Sequence, residues 1–350
     1  QRRVFAADGD ERKSEGYLWT ITQAPDHVPA LSRTRRSEGK EGHSVDLISV
    51  PSLKLAQSVA GTIQGSDHGI VFGHMPDGWR VQLKDFEEKK AYLVLGTFTF
   101  LNVDPGVAFL RVIDPKGRVR GELPLPVLAG TTTYVRDVEP QLMDLSGAIL
   151  DGALAVRRGI PGVQLGVVGQ EAAQSLSGRG GIYHLENVAT WPGFPIWLDI
   201  AQLTEKGDVV RRQRHRIEAE VQLFRRDLFL IREEQVQYWK SQIAEDLNED
   251  AALVISGMPN FLAGHEAESF EAETTRDTAP EGSMVPETYA LSYDEHPIDR
   301  NHLSSKVPRL LTVELPPGVS RIRAFSNGKK AAFSELVLPS PRVLCVVGPH

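Results

Sequence analysis

Gly96-Thr97-Phe98-Thr99-Phe100-Leu101-Asn102-Val103 and Gly181-Ile182-Tyr183-His184-Leu185-Glu186-Asn187-Val188 are two versions of one stretch, and reading them decides the fold. Each opens on glycine, places an aromatic or leucine side chain at alternate positions, and closes on Asn-Val. Alternation of this kind is the mark of a half-buried strand. Gly61-Thr62-Ile63 and Gly147-Ala148-Ile149 form an earlier pair of landmarks, 86 residues apart, and the second pair is 85 apart. An apolar strand pattern follows in each copy, ending at Val112-Ile113-Asp114 and at Trp197-Leu198-Asp199. A period this long is one small domain per copy, not a solenoid turn. Gly96 and Gly181 are expected at positive φ or at close strand approach. Asn102 and Asn187 sit where a short polar side chain can bond a local turn.

Working outward, residues 1–45 are charged and broken, and read as an extended or partly disordered lead-in. Only Gly16-Tyr17-Leu18-Trp19-Thr20-Ile21 looks like a strand there, docking onto the first module. Residues 46–140 read as β-sandwich module 1, with strands expected from Leu53 to Ile63 through Thr131 to Val138 and an Asp114-Pro115-Lys116-Gly117 turn. Residues 141–227 read as module 2, closing on a half-buried edge pattern of Ile217, Ala219, Val221 and Leu223. The period then changes to three and four: Val236, Trp239, Ile243 and Leu247 mark an amphipathic helix within residues 228–250. Its stripe must pack on something, and the junction between the second and third modules is the expected partner. Residues 251–350 read as a C-terminal β-sandwich-like domain with a long polar loop and an Asn327-Gly328 hairpin turn. The fold class expected is mainly β: tandem transthyretin- or immunoglobulin-like β-sandwiches with one linking amphipathic helix.

The repeat pattern resembles carboxypeptidase regulatory-like domains. Ser146-Gly147-Ala148-Ile149, Gly159-Ile160-Pro161-Gly162-Val163-Gln164-Leu165-Gly166-Val167 and the Gly181–Val188 stretch carry the resemblance, and the second module matches best. In the first, Gly73-His74-Met75-Pro76-Asp77-Gly78 stands where Gly159-Ile160-Pro161-Gly162 stands in the second. The resemblance covers about half the chain and implies a transthyretin-like sandwich of accessory, surface or transport-associated use. It brings no site residues with it.

Composition bounds the function. With 350 residues and 41% apolar content, the chain has material for two or three domains with real cores. A net charge of −7 argues against a general nucleic-acid binder, which needs a basic stripe to meet phosphates. Arg33 to Arg36 reads as a solvated tail, and the arginines from Arg211 to Arg216 as the charged outer face of a strand. The single cysteine, Cys345, rules out an internal disulfide and any cysteine-ligated metal cluster, and its apolar surroundings make it a buried thiol. No stretch reaches the ~18–20 apolar residues of a membrane-spanning helix. The chain does not open on Met, which leaves room for a removed targeting segment or lipid anchor before Gln1.

Catalytic signatures are missing: no G-x-S-x-G elbow, no phosphate loop, no dinucleotide fingerprint and no EF-hand. His265-Glu266 begins like a zinc-protease helix, but Ser269 stands in place of the second ligand. Asp294, His296 and His302 are weak metal candidates whose spacing gives no shared face. His68 and His74, with Asp67 and Asp77, read as a polar loop. The aromatics of module 2 are the better lead. Phe194, Ile196, Leu198 and Ile200 share one strand face, so Trp197 points the other way, with Trp191 close by and Tyr183 on the repeat strand. Exposed indoles offer a flat apolar platform for a sugar or a partner protein. Trp79 reads as core and Trp239 as interface. A non-catalytic protein of the bacterial envelope or cell surface, extracellular or periplasmic, is expected, without cofactor, acting in adhesion, scaffolding or ligand presentation. Its partner would be an envelope or surface protein or a glycan. The alternatives are a carbohydrate-binding module protein and an enzyme with its site in the C-terminal domain.

Overall fold

A computed structural model describes residues 2–4, 17–35, 47–61, 63–84, 92–94, 96–152, 158–191, 194–203, 209–218, 226–243, 252–257, 269–274, 287–291, 297–298, 309–315, 320–326, 329–337 and 343–347. The chain is mainly β. Strands β1 (Arg2–Val4), β2 (Tyr17–Thr22) and β3 (Ala30–Arg35) precede helix α1 (Val50–Ala60). The first set of strands is then β4 (Gly69–His74), β5 (Arg80–Leu83), β6 (Tyr92–Val94), β7 (Thr97–Val103), β8 (Gly106–Ile113), β9 (Val119–Val127) and β10 (Thr132–Val135). The second is β11 (Gln141–Asp151), β12 (Gln164–Val167), β13 (Gln170–Leu176), β14 (Ile182–Thr190), β15 (Pro195–Leu203), β16 (Val209–Glu218) and β17 (Leu228–Leu230), with helix α2 (Glu233–Ile243) after it. The third is β18 (Ala252–Gly257), β19 (Ser269–Thr274), β20 (Glu287–Leu291), β21 (Pro297–Ile298), β22 (Arg309–Leu315), β23 (Ser320–Ser326), β24 (Lys329–Val337) and β25 (Val343–Val347).

The three sets share one topology. In the first unit, β10, β4, β7 and β6 lie side by side in one sheet, and β5, β8 and β9 form the other. The third unit repeats this with β25, β18, β22 and β20 against β19, β23 and β24. The second sets β17, β11 and β14 against β12, β15 and β16, but its extra strand β13 joins β12 instead of the first sheet. In every unit the last strand runs parallel to the first, as β10 to β4, β17 to β11 and β25 to β18.

Within each unit one β-bulge recurs. Two residues of the strand after the crossover oppose one residue of the first strand. Leu101 and Asn102 oppose Ile70 (between the Gly69–Val103 and Val71–Phe100 pairs), and Glu186 and Asn187 oppose Asp144. Val313 and Glu314 oppose Leu253 in the third copy. Asn102, Asn187 and Glu314 all take left-handed backbone, at φ 51°, 55° and 59°. Gly96 and Gly181 are at φ 74° and 75°, and Gly78 and Gly162, each two residues before the next strand, at 81° and 75°. The paired stretches are thus a structural repeat, and a third copy is hidden where the sequence carries Glu314 in place of Asn.

The first landmark pair is not part of it. Gly147 lies inside β11, whereas Gly61 ends α1 in left-handed conformation, its N–H bonding the Gln57 carbonyl. The strand expected over Leu53 to Ile63 is this helix. Ser49 caps it by accepting from the Ser52 N–H (3.2 Å), and Pro51 stands in its first turn, where no N–H is needed. Among the described residues two α-helices therefore stand where one was expected. They are equivalent: each has 11 residues and begins 19 residues before the first strand of its unit, Val50 to Gly69 and Glu233 to Ala252. Each lies on the outer face of a unit's first sheet. Leu53 and Ala56 of α1 meet Ile48, Ile70 and Leu101. Val236 and Trp239 of α2 meet Ile231, Leu253 and Val313 at the same places.

The lead-in contributes three strands, not one: β3 runs parallel to β10, and β2 and β1 follow outward. Likewise β16 is no edge. It pairs β15 on one side and β25 on the other, so the second sheet of the second unit continues into the first sheet of the third. Cys345 on β25 is fully buried. The Asn327-Gly328 turn and residues 219–225 lie outside the described residues.

At the Asp114-Pro115-Lys116-Gly117 turn, the Gly117 N–H bonds the Asp114 carbonyl (2.9 Å) and the N–H groups of Lys116 and Arg118 bond its carboxylate (2.9 Å each). Burial pushes this carboxyl up, but those bonds and the Arg118 guanidinium outweigh it and hold the pKa down, at about 2 against an ordinary 3.8. The turn's contribution is therefore complete above pH 3.8 and is lost as pH falls through about 2. A carbon-13 carboxyl titration should find Asp114 still ionised at pH 3. The bulge yields a second prediction. Asn187→Gly should leave the denaturation midpoint nearly unchanged, whereas Asn187→Val should cost ~1–2 kcal/mol because a β-branched residue resists left-handed backbone.

Candidate functional site: the junction of the first two units

Two of the three residues the sequence offers for binding, Trp191 and Trp197, meet at an internal seam, and the third, Tyr183, does not. Trp191 follows β14 directly, is 4% exposed, and belongs to the core of the first unit beside Val138 and Phe194. Its Nε1 donates to the Val138 carbonyl (2.9 Å). Gly121 on β9 comes so close that an added Cβ would lie 3.0 Å from the indole. The exposed aromatic platform is therefore not formed: Trp191 and Trp197 are buried (Trp197 is 3% exposed) because a neighbouring unit covers the strand face that alternation leaves outward. Tyr183, 1% exposed, lies in the second unit's own core, and its hydroxyl donates to the Arg226 carbonyl (2.7 Å). Burial pushes that phenol's pKa up, so it remains a neutral donor.

Polar contacts fix the same seam. The Glu122 N–H on β9 donates to the Gly169 carbonyl before β13 (2.8 Å). Gln170 turns its carboxamide onto Ala189, donating to its carbonyl (2.7 Å) and accepting from its N–H (2.8 Å). The Glu122 carboxylate takes Arg111 through Nε (3.0 Å) and Nη2 (2.8 Å), and Lys84 Nζ at 3.0 Å. Lys84 also lies 5.8 Å from the centre of the Phe109 ring, within cation–π reach. On the second unit, Arg214 grips Asp199 with Nε (2.7 Å) and Nη2 (2.9 Å). A small cavity in the seam is lined by Glu122, Gln170, Thr190, Trp191, Phe194 and Trp197 among others.

No chemistry gathers here. The carboxylates are engaged by cations: Glu122 by Lys84 and Arg111, and Asp199 by Arg214. Among the described residues no group of three or more His, Cys, Asp or Glu could hold a metal ion. Asp294, His296, His302 and His265 lie outside the described residues. His68 meets Asp67 (2.8 Å) and Asp104 (3.2 Å) in an exposed turn. His74 packs edge-on to Phe72 and Tyr134 at ring distances of 5.9 and 6.1 Å. Trp79 is partly buried against the first core, and Trp239, 1% exposed, lies on the sheet-facing side of α2. Sequence reasoning missed Gln170, Glu122 and Gly121, none of which carries a motif. The only available sign was Trp191 standing just outside a strand.

No family model matches the chain, and no curated protein sequence does. Among solved structures it is similar to a streptococcal ancillary pilin, at 8% identity over 81% of this chain and 99% of that one, with a TM-score of 0.17. It is also similar to a family 26 carbohydrate-binding module from Eubacterium rectale solved with maltoheptaose (9% identity, 59% and 92% covered, TM-score 0.19). A third is the major pilin subunit of Bacillus cereus (7% identity, 80% and 99% covered, TM-score 0.15). At these scores the likenesses carry no argument about this chain's function.

If Trp191 fastens the units, truncating it should cost far more than removing its polar atom. Trp191→Ala should lower stability by ~3–5 kcal/mol through the cavity it leaves. Trp191→Phe should cost about 1–2 kcal/mol, chiefly for the lost N–H···O=C bond. Urea denaturation monitored by circular dichroism separates the two.

Proposed function

We propose that this is a non-catalytic spacer and scaffold of the bacterial envelope or cell surface, whose β-units are of the carboxypeptidase regulatory-like kind and hold attached or neighbouring elements at a set distance. The observation that carries the reading is the fate of the aromatics: Trp191 and Trp197 are buried at the seam between units, and Trp239 is buried between α2 and the sheet it covers. Side chains that would serve recognition if exposed serve fastening here. The second support is that one topology recurs three times, with five residues joining the first two units and the sheet of the second continuing by strand pairing into the third. No helix among the described residues is long and apolar enough to cross a membrane. Adhesion or presentation of a ligand would then fall to loops carried on this frame.

Spin labels at Lys116→Cys and Gln237→Cys, in a Cys345→Ala background, span the first unit to the second helix. A single narrow distance distribution is expected, and a broad one would sink the spacer reading. A glycan array of the intact chain is the companion measurement, since specific binding there would make sugar recognition the function instead.

A further inference from the structure

We infer that the seam between the first two units is a binding site for one structural water, held by the indole N–H of Trp197. Three observations meet there. Trp197 is 3% exposed, and among the described residues no group accepts a hydrogen bond from its Nε1. Trp197 also lines the seam cavity, together with the polar residues Glu122, Gln170 and Thr190. That cavity offers about 10 Å3, counted as room for the centre of a water molecule.

Size and chemistry select the ligand. Buried N–H groups in folded proteins are almost always paired, and an exception calls for a specific partner. A resident water needs roughly 10–15 Å3 of such room and two to four polar partners. The seam meets the first requirement and offers candidates for the second from both units: Glu122 from the first, Gln170, Thr190 and the Trp197 indole from the second. A sugar ring, an inorganic anion or a second side chain is too large. The carboxylate of Glu122 already receives Arg111 and Lys84, and a carboxylate carries lone pairs for a further donor. The water therefore joins the second unit's indole to the polar lining contributed by both. It makes the seam wet at one point, as bridging waters do in well-packed interfaces.

The test uses the intact chain with nitrogen-15 in its indoles. The Trp197 Nε1–H signal is identified by its loss in Trp197→Phe or, if that variant does not fold, by elimination with Phe variants of Trp19, Trp79, Trp191 and Trp239. A direct cross-relaxation peak from that proton to the water resonance, with the sign of a long-lived contact, is the result expected. A high-resolution crystal structure should show one ordered water within hydrogen-bond distance of Nε1. A protected indole proton with no water peak, or a protein acceptor in that place, overturns the proposal.

Discussion

In each unit the first and last strands run parallel, side by side, and in two of them the approach is closer than a side chain allows. A Cβ placed on Gly73 would lie 2.2 Å from the Val135 carbonyl oxygen, and one on Gly147 would lie 1.7 Å from that of Arg226. Glycine is therefore the residue that lets the unit close. Parallel neighbours cannot be joined by a tight hairpin, so the intervening chain must cross over. Here the intervening chain builds the second sheet and also returns to the first, where it pairs with the other side of the unit's first strand. Parallel closure has a further consequence: the chain enters a unit at one end and leaves at the other. Only five residues, Arg136 to Pro140, then separate β10 from β11. A unit closed this way strings head to tail, and at the first junction it does so without a long linker.

This dependence explains which parts of the fold were legible in the sequence. Gly-x-aromatic with Asn at the sixth position after the glycine was readable because two special backbone conformations fall at fixed spacing along an alternating strand. Gly96 and Asn102, and Gly181 and Asn187, are such pairs. The third copy was not readable because Glu314 adopts the same conformation without a residue type that favours it. Helix α1 was misread for a local reason. Leu53, Leu55 and Val59 suggest alternation, yet Leu55 and Val59 are the exposed members, while Leu53 and Ala56, three apart, face the sheet. Ser49, Pro51 and Gly61 were the better signal, since they mark a start and a stop and not a period. The indoles were misjudged for a tertiary reason: alternation shows which face a side chain leaves, not what another unit lays against it.

The helices show how the same sheet face is managed in different contexts. In the first and third units an 11-residue helix covers it. No helix among the described residues covers the corresponding strand of the second unit, and its outward residues are exposed. Ile182, His184 and Glu186 are exposed, where Thr97, Thr99 and Leu101 are half-buried or buried beside α1. The change from Leu101 to Glu186 at one register position is what the loss of a cover requires, because an uncovered leucine would enlarge an apolar patch. Local chemistry therefore follows the presence of the helix, while the topology underneath stays the same.

The two junctions are built on different principles, and this accounts for their unequal visibility. The first is made by side chains. Trp191 fills the neighbouring core and its indole donates to the Val138 carbonyl, while Gln170 braces the second unit's side by clamping Ala189, so the residue types matter and substitution is felt. The Glu122 N–H adds one backbone bond to the Gly169 carbonyl. The second is made by backbone. β16 and β25 pair in parallel over Arg212 to His215 and Val343 to Val346, carrying one sheet across the boundary. Backbone pairing asks little of side-chain identity beyond the right alternation, which is why the arginines of β16 announce nothing about it. Gln213 adds a specific contact, its carboxamide donating to the Ile231 carbonyl and accepting from the Ile231 N–H at the foot of α2. That contact ties the continuing sheet to the helix that covers it, so the third unit is held to the second through two elements at once. A chain fastened by an aromatic plug at one seam and by a shared sheet at the next has little freedom left between its units, which is the property a spacer needs.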